Sequence, residues 1–172
     1  MGEALDVIYQ IQDEYSRVAA LIALATVFPE LMGEALDVIR QIRSESSRVR
    51  ALKDLISVLP LELMGEALEL IRVIQKESFR AIALGELISV LPLELMGEAL
   101  ALIRAIQDES SRARVLRGLA RVLPPDLMGE SLALIRTIQD ESSRARVLRE
   151  LARFLPPNLM REALELTRTI QE

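Results

Sequence analysis

The stretch LPLELMGEAL, Leu59 to Leu68, constrains this chain more than any other feature. Near-copies begin at Leu91, Leu123 and Leu155, and a shortened form begins at Phe28. Gly2, Gly33, Gly65, Gly97 and Gly129 mark the register, with Arg161 in the sixth place, and the step is 31 once and 32 thereafter. A fixed period of this length specifies a quasi-one-dimensional stack of similar supersecondary units. The missing residue falls in a linker, where Pro29-Glu30-Leu31 replaces Pro60-Leu61-Glu62-Leu63.

Two helical patterns fit each unit, an A segment such as Leu61 to Gln75 and a B segment such as Lys76 to Leu91. In the second A segment, Leu31, Met32, Ala35, Leu36, Val38, Ile39 and Ile42 fill an arc of about 160° at 100° per residue. The B segment places Val49, Ala51, Leu52, Leu55, Ile56, Val58 and Leu59 over about half its circumference. Arcs this wide serve more than one neighbour. Apolar residues make up 51% of the chain but aromatics only 3%, so the packing belongs to Leu, Ile, Val and Ala. The predicted fold is all-α, a right-handed α-solenoid of five αα-hairpins plus a final capping helix from Pro157 to Gln171, eleven helices in all. It forms one repeat domain, with units at about 1–29, 30–60, 61–92, 93–124, 125–156 and 157–172.

Turn chemistry supports this division. Leu-Pro is predicted to end each B helix, with Pro suited to the first position of the next. Glu30, Glu62, Glu94 and Asp126 then sit at the positive end of a helix dipole. Asp13, Ser44, Asp108 and Asp140 are predicted N-caps of B helices, and Lys76 is the exception.

With a net charge of -5, general polyanion binding is disfavoured, though a local basic face is compatible with it. The chain has no Cys and no His, which removes disulfides, thiol nucleophiles and the commonest metal ligand. No cofactor, metal or catalytic group is expected. The apolar run Val18 to Phe28 is far short of the ~20 residues that span a bilayer. Met1-Gly2-Glu3 lacks a basic leader, so the expectation is a soluble, cytoplasmic protein with no membrane partner.

A two-helix unit of this period with Pro between units resembles the tetratricopeptide and HEAT-like α-solenoids. Only the terminal Pro of the tetratricopeptide signature is present, so no peptide clamp carries over to any residue here. The segment EALALIRAIQDESSRARVL, Glu98 to Leu116, is similar to EAL-x2-IRxIxDExxRAxxL arrays in the helical C-terminal sensor regions of bacterial signalling NTPases with NACHT or NB-ARC modules. That resemblance covers the whole chain and implies a fold rather than a ligand. A nucleotide-binding GKS or GKT loop is absent from the sequence. Gln107 to Met128 and Gln139 to Met160 differ only at Gly118/Glu150, Val122/Phe154 and Asp126/Asn158, as recent duplication or consensus design would produce.

Four sets of residues depart from simple packing. Glu45/Arg48 recurs as Glu14/Arg17, Glu77/Arg80, Glu109/Arg112 and Glu141/Arg144, inside the apolar arc of each B helix. The i, i+3 spacing predicts a structural ladder in which each Glu meets its own Arg or the next repeat's. Arg114, Arg117 and Arg121, then Arg146, Arg149 and Arg153, form a basic stripe, either a solvated face or a site for an acidic peptide or nucleic acid. Arg40, Arg72, Arg104, Arg136 and Arg168 form another ladder, with Tyr9 in its first place, predicted to pair with Asp37 and Glu69. Last, the first B helix is apolar all round, with Ala19, Ile22, Ala23 and Thr26 where later repeats are charged. Together with Tyr15, Phe79 and Ile82 these predict a covered surface, foremost by a second copy in a homo-oligomer, next by a partner or a lost N-terminal domain, with a tolerated exposed surface as the remaining reading. Two further expectations concern packing: the register Gly is small because a neighbouring hairpin passes close, and Arg161, Thr167 and Glu172 give the last helix a polar outer face. The predicted function is a non-catalytic protein-interaction and assembly scaffold, with polyanion binding through the Arg stripe as the alternative.

Overall fold

A computed structural model of the chain describes residues 2–168, and the predicted continuation of the last helix to Gln171, with Glu172, lies outside them. The described residues form eleven α-helices. The A helices are α1 (Gly2–Tyr9), α3 (Met32–Gln41), α5 (Met64–Arg72), α7 (Met96–Arg104), α9 (Met128–Arg136) and α11 (Met160–Arg168). The B helices are α2 (Glu14–Ala25), α4 (Glu45–Ile56), α6 (Glu77–Ile88), α8 (Glu109–Leu119) and α10 (Glu141–Leu151). With no strand among the described residues, the fold is the predicted all-α array of helical hairpins, an α-solenoid.

The chain divides into two compact units, Met1–Leu87 and Ile88–Glu172. In the first, α2 packs on α1, α3 and α4, and α3 packs on α4 and α5. In the second, α8 packs on α7, α9 and α10, while α10 packs on α9 and α11. The wide apolar arcs account for this, since α2, α4, α8 and α10 each cover the A helix of their own hairpin and a neighbouring helix of the same unit. Leu31, Met32, Ala35, Leu36, Ile39 and Ile42 are buried as the arc of the second A helix requires. Val58, at the edge of the B arc, is exposed instead.

Proline acts differently from the prediction. α4 ends at Ile56 and α6 at Ile88, several residues before Pro60 and Pro92. Leu59 and Leu91 turn into the core as the chain leaves the helix, which sets the exit earlier than Pro alone would. The Pro then opens a short 3₁₀ turn: Pro29, Pro125 and Pro157 begin one, while Pro60 and Pro92 precede one in extended conformation. Each turn carries its acid, Glu30, Glu62, Glu94 or Asp126, ahead of the α-helix that follows.

The register glycines overturn the expectation of close approach. A Cβ added at Gly33, Gly65, Gly97 or Gly129 would meet nothing within 4 Å, and none of these residues has positive φ. Arg161 is therefore accommodated at a position that is roomy in every repeat. Gly65→Ala is expected to stabilise the chain by about 0.4–1 kcal/mol, because it narrows the unfolded ensemble without a clash. A lower urea midpoint for the variant would contradict this.

Candidate functional site

Helices α8 and α10 carry the arginine stripe as far as Arg117 and Arg149, and Arg121 and Arg153 lie in the turns that follow. Each helix is fixed by its N-cap: Asp108 accepts the Ser111 N–H at 2.8 Å and Asp140 the Ser143 N–H at 2.7 Å. Hydrogen bonds from those serines, side chain and backbone, hold both carboxyls below their usual range, and Arg114 and Arg146 add a weaker attraction. Capping thus accounts for these acids, as the sequence predicts. Beyond the caps, all six arginines of the stripe are exposed. Arg153 pairs with Glu150 at 3.2 Å. Arg114, Arg117, Arg121, Arg146 and Arg149 hold no ion pair among the described residues. A cleft of about 190 Å³ opens between the two helices, lined by Ser110, Ala113, Arg114, Arg117, Ser143 and Arg146.

At the same register positions the first unit is neutralised. Arg50 lies 4.2 Å above the ring of Tyr15, and Lys53 pairs with Glu86 at 2.7 Å. The Tyr15 hydroxyl donates to Asp54 at 2.7 Å, and that hydrogen bond raises the phenol pKa. Tyr15 is therefore engaged by α4.

The apolar stripe on α2 shrinks in the same way. Ile22 is only 8% exposed and Val18, Leu21 and Ala25 are fully covered, because α2 is wrapped by α1, α3 and α4. This corrects the expectation that Ile22 anchors contact with another molecule. Ala23 and Thr26 are exposed, Ala19 is half-buried, and Thr26 donates its hydroxyl to the Ala23 carbonyl. On α6, Phe79 is half-buried beneath Lys76, whose ammonium lies 5.1 Å from the ring, while Ile82 is exposed.

The Glu/Arg ladder is structural, but its partners differ from those predicted. Arg80–Glu77 makes the expected i, i+3 contact, at 3.4 Å. Glu14, Glu45 and Glu109 reach the backbone of the following repeat. Glu45 accepts the N–H groups of Gln75 and Lys76 at 2.6 and 3.1 Å, and Glu109 those of Gln139 and Asp140, both at 3.0 Å. Glu14 accepts the Arg43 N–H at 3.1 Å. The arginines turn to carbonyls at the ends of A helices: Arg48 bonds Ile42, Arg80 bonds Ile74, Arg112 bonds Ile106 and Arg144 bonds Ile138. Glu141 is exposed. A turn between two helices leaves N–H and C=O groups without helical partners, and these side chains supply them.

Backbone donors hold the Glu45 and Glu109 carboxyls below the usual range. A depressed folded pKa contributes stability above the unfolded value that is lost as pH falls through the folded value. The difference in thermal midpoint between the wild type and Glu45→Ala is thus expected to be largest near neutral pH and to narrow below about pH 4. A gap independent of pH would show that the carboxylate charge is not involved.

On the A helices, Arg40 pairs with Asp37 and Arg72 with Glu69, as predicted. Ala101 and Ala133 replace those acids in the next two repeats, so Arg104 reaches Glu130 and Arg136 reaches Glu162 one repeat on. Tyr9 donates to Glu34 in the same manner, and this bond raises its pKa to about 12.

One surface was missed by sequence reasoning. An apolar groove of about 410 Å³ lies between α10 and α11, lined by Ala145, Leu148, Arg149, Ala152, Met160, Ala163, Leu164 and Thr167. The predicted polar outer face of the last helix is thus corrected, because Met160 and Leu164 are 44% and 61% exposed and Thr167 lines the groove. The signal was present in the register, since Met160 and Leu164 repeat Met128 and Leu132.

No helix among the described residues is long and apolar enough to cross a membrane. Architecture places the chain in the class of helical-hairpin repeat proteins. Neither a protein-family model, nor a curated protein, nor a solved structure matches it, so the likeness to NACHT and NB-ARC sensor arrays rests on its motif alone.

Proposed function

We propose that this chain is a non-catalytic protein-interaction scaffold that receives an acidic segment of a partner protein across α8 and α10. The observation that carries this reading is one cleft lined by Arg114, Arg117 and Arg146, three exposed arginines without an ion pair among the described residues. Guanidinium groups form bidentate hydrogen bonds with carboxylates, and their planar forks lose little freedom in doing so. Nucleic acid fits less well, because no aromatic residue lines the cleft to stack a base. Self-association through α2 is the weaker reading, since Ile22 is covered within the chain.

Fluorescence anisotropy with a labelled Asp/Glu-rich peptide, and with single-stranded DNA of equal charge, tests the proposal. Saturable peptide binding is expected, weakened by salt and reduced about tenfold, or 1.4 kcal/mol, by Arg114→Ala with Arg146→Ala. Tighter binding of the DNA through the same arginines would replace the acidic protein with nucleic acid. Binding of neither would refute an anion site.

A further inference from the structure

The groove between α10 and α11 repeats a groove that this structure shows filled. One repeat earlier, α8 and α9 form the equivalent surface, and α10 packs on both. There Met128 and Leu132 are 3% and 0% exposed, against 44% and 61% for Met160 and Leu164. The walls correspond residue by residue: Ala113 and Leu116 on α8 and its C-cap Ala120 become Ala145 and Leu148 on α10 and its C-cap Ala152. Ser131 and Ile135 on α9 become Ala163 and Thr167 on α11. From this we infer that the α10/α11 groove is a docking site for an amphipathic α-helix of a partner protein, presenting the apolar face that α10 presents to α8 and α9.

That face fixes the partner's chemistry. α10 is 11 residues long and buries Val147 and Leu151, at i and i+4, neither of which lines the groove that Leu148 helps to form. The bound helix therefore carries branched apolar side chains at that spacing and polar residues on its far side, the helix-in-groove mode of recognition. Small residues at 145, 152 and 163 leave room for the helix to approach closely, while Met160 supplies an adaptable wall. Arg149 lines the groove as well, and favours an acid near that point of the incoming helix.

The test uses an acetylated, labelled peptide copying residues 140–155, titrated with the whole chain. Saturable one-to-one binding is expected, with loss of at least about tenfold for Leu164→Ser. Because Leu164 is exposed, the variant retains its fold, and an unchanged helical signal verifies this. A short peptide is only marginally helical alone, so a second arm appends residues 141–156 after Glu172, in repeat register. The tethered segment is expected to add helical signal and raise the thermal midpoint, and Leu164→Ser to cancel both. Equal binding of a scrambled peptide, or no response in either arm up to about 1 mM peptide, overturns the inference. So does dimerisation of the chain alone that Leu164→Ser abolishes, which would assign the groove to a second copy.

Discussion

Arg112→Ala is expected to destabilise the chain by about 2–4 kcal/mol, while Arg114→Ala, two residues along the same helix, changes stability by less than about 0.5 kcal/mol. Arg112 is 8% exposed and donates to the carbonyls of Ile106 at 2.9 Å and Thr137 at 3.3 Å. It thereby closes the end of its own A helix and reaches the end of the next one. Truncation leaves both carbonyls short of a donor and opens a gap in a packed face, and hydrogen bonds to a charged group contribute more than neutral ones. The buried Nε of Arg112 makes no hydrogen bond, which holds the expected loss away from the upper end of the range. Arg114 is exposed and lines the cleft, and its attraction for the Asp108 carboxylate is weaker than the capping hydrogen bonds there. Urea unfolding followed by helical circular dichroism measures the difference. Equal midpoints for the two variants would remove Arg112 from the structural ladder.

The second large effect contrasts two leucines in one register. Leu132→Ala is expected to cost about 2–5 kcal/mol, because the side chain is fully buried and its removal loses both transfer free energy and packing around the cavity. Leu164→Ala, at the equivalent place on α11, is expected to change stability by less than about 0.5 kcal/mol, since 61% of the residue is in solvent. Stability in a repeat array is a sum of unit and nearest-neighbour interface contributions, so the same side chain weighs differently according to whether a neighbour lies on it. A comparable loss at both positions would show that the α10/α11 groove is already occupied in the isolated chain.

The arginine cleft was legible in part. Spacing at i, i+3 and i+7 groups three arginines in each of the last two B segments, of which Arg114 and Arg117 lie on α8, Arg146 and Arg149 on α10, and Arg121 and Arg153 in the turns that follow. It does not reveal that Arg153 is engaged by Glu150 while the other five hold no ion pair among the described residues, nor that Arg50 and Lys53 are engaged in the first unit. Those outcomes depend on which side chains meet across neighbouring helices. The Glu/Arg ladder is similar. Periodicity puts both charges on a packed face, and the intrahelical spacing suggests that they meet each other. The acids instead satisfy N–H groups about 30 residues away, because a turn with unpaired donors lies within reach and offers more than an ion pair on the same helix.

By itself the sequence determined what is local and repeated: hairpins, helix faces, the N-caps at Asp13, Ser44, Asp108 and Asp140, and the core leucines and isoleucines. These follow from a 3.6-residue period and from backbone groups that must be paired within a few residues. Only the tertiary structure decided that Ile22 is covered, that the register glycines have room beside them, and that Met160 and Leu164 form an open groove. The physical reason is common to all three. A residue's place on a helix face follows from the angle between successive side chains, but its exposure depends on which neighbouring helix lies over that face and at what offset.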